Sequence, residues 1–109
     1  TYESIDQACR LAGYKTNWLR PGTVDIPTGL RAIVVDTKEI SDAERLLEQL
    51  PGKSSDIPRI VLANFPRLAD VKKLSIDGRT RVLAKPFRLH DLLWLLAECI
   101  DDGEVARAA

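Results

Sequence analysis

Three short apolar runs lead to residues able to do chemistry. Arg31-Ala-Ile-Val-Val stops at Asp36, Pro58-Arg-Ile-Val-Leu-Ala63 leads to Asn64, and Arg81-Val-Leu-Ala84 stops at Lys85. A carboxylate and an ammonium delivered by separate strands to one rim have two readings. In the first, Asp36 is a nucleophile that accepts a phosphoryl group, and Lys85 is the point charge paired with it. In the second they form a rim salt bridge worth about 0–1 kcal/mol. Residue types alone do not separate the two.

The elements that must position these groups follow from the pattern around them. Continuous β-branched runs without alternation suit strands covered on both faces, as in parallel sheets. Between them lie helical stripes. The first carries Ile5, Ala8, Cys9, Leu11 and Ala12 and stops at Gly13. Ser41-Asp-Ala-Glu44 has the form of a capping box, opening a helix with Leu46, Leu47 and Leu50 that stops at Pro51-Gly52. Pro66 suits the first position of a helix presenting Leu68, Val71, Leu74 and, near its end at Asp77-Gly78, Ile76. A last helix from about Leu89 to Ile100 has Leu89, Leu92, Leu93, Leu96 and Ile100 as its core stripe, with Trp94 and Leu95 off it. Lys15 to Leu19 reads as an edge strand, the Pro- and Gly-punctuated stretch after it as irregular, and the tail from Asp101 as frayed. Strands alternating with helices give an α/β, doubly wound parallel sheet, whose function collects at the carboxyl ends of its strands.

Composition narrows the classes. The 109 residues make one domain spanning 1–109, with 45% apolar and 29% charged residues, which argues against disorder. Sixteen basic against sixteen acidic side chains remove the electrostatic case for nucleic acid. The longest apolar run, Leu92 to Ala97, is six residues, so no membrane contact is expected. The opening Thr-Tyr-Glu-Ser has no secretory character, and two cysteines, Cys9 and Cys99, make no disulfide framework. A cytoplasmic location is expected.

Taken together, Arg-Ala-Ile-Val-Val-Asp36, Pro58-Arg-Ile-Val-Leu-Ala63-Asn64 and Val82-Leu-Ala-Lys85-Pro86-Phe87 before an amphipathic helix resemble the receiver domain of two-component response regulators. The resemblance covers nearly the whole chain, and Lys-Pro-Phe after a buried strand is its most specific element. It implies a flavodoxin-like sheet of order 2-1-3-4-5. It places Asp36 at the phosphoacceptor position and Lys85 at the lysine position, and makes the Lys85–Pro86 bond cis.

The departures bear on function. Receivers carry a hydroxyl residue where this chain has Ala63, and an aromatic switch residue where it has Val82. The family's first strand and the acidic pair at its end precede the first helix, and this sequence begins in that helix, leaving a gap inside the sheet. Either that strand lies upstream or another segment fills the gap. Mg²⁺ is expected only if the acidic pair lies upstream, and otherwise no cofactor.

The leading expectation is a degenerate receiver, a non-catalytic module of two-component phosphorelay signalling. Such a module regulates or docks to other domains of a hybrid sensor histidine kinase, whose kinase activity would belong to the parent chain. Trp94 and Leu95 are its candidate partner contacts, a homodimer through the last helix included. The first alternative is a working receiver phosphorylated at Asp36. The second is a small-effector module in which Arg79, Arg81 and Arg88 hold a cyclic dinucleotide. Gly52-Lys53-Ser54 reads as a turn and His90 as a solvated helix-end residue.

Overall fold

The computed structural model describes residues 2–18, 30–49, 57–64, 66–76, 78–99 and 104–108. In chain order the elements are α1 (Tyr2–Leu11), β1 (Lys15–Trp18), β2 (Leu30–Asp36), α2 (Ile40–Gln49), β3 (Arg59–Asn64), α3 (Leu68–Leu74), β4 (Thr80–Lys85), α4 (Leu89–Cys99) and β5 (Glu104–Ala108). All the strand pairs are parallel, in the spatial order β1-β5-β2-β3-β4. The fold is therefore a doubly wound, flavodoxin-like α/β sheet.

Alternation along β2 and β3 sends side chains into two separate cores. On one face Ala32, Val34, Ile60 and Leu62 meet Ile5 and Cys9 of α1, Leu92 and Leu96 of α4, and Val105 of β5. On the other, Ile33, Val35, Val61 and Ala63 meet Ala43 of α2, with Ile40, Leu46 and Leu47 packed at its margin. Coverage of both faces is what the unbroken β-branched runs require.

The clearest departure from the sequence reading is β5. The tail expected to fray carries a strand at Glu104–Ala108, hydrogen-bonded to β1 on one side and β2 on the other. It takes the sheet position that the receiver resemblance left as a gap. Two parallel strands held apart would leave a row of backbone donors and acceptors without partners. Satisfying that row outweighs the poor strand propensity of an Ala-rich segment.

Four further expectations are corrected. The capping box is not formed: α2 opens at Ile40, and the Glu39 carbonyl accepts from the N–H groups of Asp42 and Ala43, placing Ser41 inside the helix. Pro66 lies two residues before α3, whose N-cap is Arg67. Leu68 is 70% exposed, Ile76 lies exposed beyond the helix end at Leu74, and no residue of α3 is buried, because this short helix lies beside β4, the edge strand, where little sheet remains to cover. For the same reason β4 is not buried on both faces, and Arg81 and Ala84 are exposed. The stretches 19–29, 50–56 and 100–103, with Gly52-Lys53-Ser54 and Ile100, lie outside the described residues. Among the described residues, no helix is long and apolar enough to cross a membrane.

The first core makes a prediction about alkaline stability. Cys9 is buried, and desolvation, reinforced by Asp6, pushes its thiol up to about 11 from 9.0. The folded state thus keeps a proton that the unfolded chain releases near pH 9. The stabilisation is complete below pH 9 and is lost as pH rises toward 11. Unfolding free energy should fall across that window in urea titrations, and Cys9→Ala should flatten the fall. An unchanged slope in the variant would remove Cys9 as its cause.

Candidate functional site

The carboxyl ends of β2, β3 and β4 bring Asp36, Asn64 and Lys85 to one rim. Register does this directly: Asp36 pairs with Leu62, and Asn64 pairs with Lys85. Lys85 Nζ closes on Asp36 Oδ1 in a direct ion pair and donates a second hydrogen bond to the Thr37 carbonyl at 3.0 Å. The side chains are only 25% and 12% exposed, so the pair is shielded from solvent on most sides. The Lys85–Pro86 peptide is cis.

Thr37 is the functional-site residue that the sequence reading passed over. It is buried, and its N–H donates to the Leu62 carbonyl at 2.9 Å. Its hydroxyl lies 3.0 Å from the Glu39 carbonyl and 3.2 Å from that of Leu62, sharing one proton between them. Asn64 N–H donates to the Lys38 carbonyl at 2.8 Å, tying the β2 and β3 loops together. The signal in the sequence was a hydroxyl residue directly after a strand-end carboxylate, where the backbone leaves the ladder and side chains must take over.

The donor set does not suit Mg²⁺, which needs a near-octahedral shell of oxygens usually anchored by carboxylates. Among the described residues the five strands end at Trp18, Asp36, Asn64, Lys85 and Ala108, so one of these ends is a carboxylate. That carboxylate is engaged by Lys85, and the Thr37 hydroxyl is spent on carbonyls. A cleft of about 350 Å³ beside Asp36 also holds Asp42, but Asp42 pairs with Arg45. Among the described residues, no three His, Cys, Asp or Glu side chains converge on a metal-sized site.

The other singled-out residues fall in different places. Ala63 is fully buried in the second core, and Val82 packs at the margin of that core, so both side chains are taken up by packing. Arg79 and Arg81 sit at the amino end of β4 and Arg88 beyond its carboxyl end. Five strand steps separate those ends, roughly 17 Å. Arg81 is 3.1 Å from Glu98 of α4. The structure does not bring the three arginines to one site. Trp94 on α4 is 58% exposed. Leu95 is partly buried against the first core and is not an outward contact, because α4 packs a wider stripe than the sequence reading drew. His90 is exposed in the first turn of α4.

No family model, no curated protein and no solved structure matches the chain.

Proposed function

We propose that the chain is a non-catalytic signalling module of the two-component type. On this reading it is a degenerate receiver that works in the cytoplasm by docking to other domains of a hybrid sensor histidine kinase. The observation that carries the reading is the closed rim. Lys85 satisfies Asp36 and the Thr37 carbonyl together, while the neighbouring strand ends offer no second carboxylate. A phosphoryl group on Asp36 would have to displace Lys85 from one partner. The position where a receiver offers a hydroxyl is Ala63, which is buried in the second core and has no donor to give. Phosphoryl transfer depends on charge neutralisation by preorganised donors and metal ions, and this rim supplies one ammonium.

What remains is a scaffold able to bind. Docking changes the parent protein only through contacts that differ between its states, and Trp94, large and exposed on α4, is the side chain best suited to such a contact. Incubation with acetyl phosphate and Mg²⁺ should leave the intact mass unchanged. A stoichiometric phosphoryl adduct at Asp36 would instead make the chain a working phosphoacceptor, with the proposed role lost.

A further inference from the structure

Among the interior strands of the sheet, β5 is the one least suited to its place. β5 lies between β1 and β2, with two neighbours, and α4 and β2 meet its Val105 in the first core. A strand in such a place is ordinarily a run of Val, Ile and Leu. Glu104-Val-Ala-Arg-Ala108 has one apolar residue larger than alanine. Its partner β2 is of the opposite kind, with Ala32, Ile33, Val34 and Val35 all buried. The pairing between them is also faulted. Leu30 pairs with Glu104 and Ala32 with Val105, so Arg31 is passed over. Bulges are rare between parallel strands, and β2 pairs with β3 without one.

From position, composition and register together, we propose that the slot between β1 and β2 is an exchangeable strand site. Its fitting occupant is an extended, β-branched apolar segment that enters parallel to β2 and displaces β5. Backbone hydrogen bonds along the β1 and β2 ladders supply affinity. The apolar surface of β2 and the helices over it select side chains, as in other strand-addition complexes. β5 holds the ladder closed until such a segment arrives. This site is independent of the Asp36–Lys85 rim and stands whether or not the signalling reading does.

The test uses hydrogen exchange on the full chain, with a labelled peptide copying residues 58–64, a segment that already pairs parallel with β2. In the free protein the amides of Val105 to Ala108 should exchange about 100-fold faster than those of β2 and β3, as a separate opening unit. The peptide should bind saturably, and binding should strip the remaining protection from β5. Three results would each overturn the proposal: β5 amides as slow as those of β2, fast β5 exchange with no saturable peptide binding, or binding that leaves β5 protection intact.

Discussion

Replacing Lys85 with methionine is expected to destabilise the protein by about 2–4 kcal/mol. Methionine keeps the aliphatic stem but removes the ammonium, leaving the Asp36 carboxylate, 12% exposed, and the Thr37 carbonyl without their donor. Removing one partner of a well-buried pair costs about 3–5 kcal/mol, and partial solvent access lowers that figure here. Asp36→Asn should cost less, since an amide oxygen still accepts from Lys85. Combining Asp36→Leu with Lys85→Met should recover most of the loss, because neither group then remains desolvated and unmatched. Urea unfolding of the single and double variants gives the coupling directly. Additive losses would mean that Asp36 and Lys85 act independently and that the rim is not a closed unit.

That pair was legible in the sequence because both groups sit at the ends of apolar runs, and a parallel sheet brings all such ends to one edge. The burial of β2 and β3 was legible for the same reason, since unbroken β-branched runs have one economical use. Other features depend on what surrounds a segment. Nothing local in Glu104-Val-Ala-Arg-Ala108 marks a central strand, and only an unfilled ladder elsewhere in the sheet recruits it. The pattern Ser41-Asp-Ala-Glu44 has the spacing of a helix start. Yet the tight turn after β2, held by the Thr37 hydroxyl, starts the helix earlier. Leu68 follows helical periodicity faithfully and still faces water, because the sheet ends at β4. Position within the sheet, not residue pattern, decides these three.

The same distinction separates two neighbours on α4. Leu92→Ala should cost about 3–4 kcal/mol, the usual range for emptying a filled core site, because Leu92 is fully buried over Ile60 and Leu62 in the first core. Trp94→Ala, two residues on, should change stability by less than about 0.5 kcal/mol, as surface substitutions do, since Trp94 is 58% exposed. Under the proposed signalling role, loss of docking to the kinase domains should follow the opposite order. The Leu92 variant, measured where it remains folded, should retain affinity for the kinase domains. The Trp94 variant should lose it about tenfold or more, the cost of removing an aromatic anchor from an interface. Denaturant midpoints and titration against those domains read the two effects separately. Should Trp94→Ala destabilise the chain as much as Leu92→Ala does, the indole is part of the core. Should it bind normally, Trp94 is not the contact that the proposed role requires.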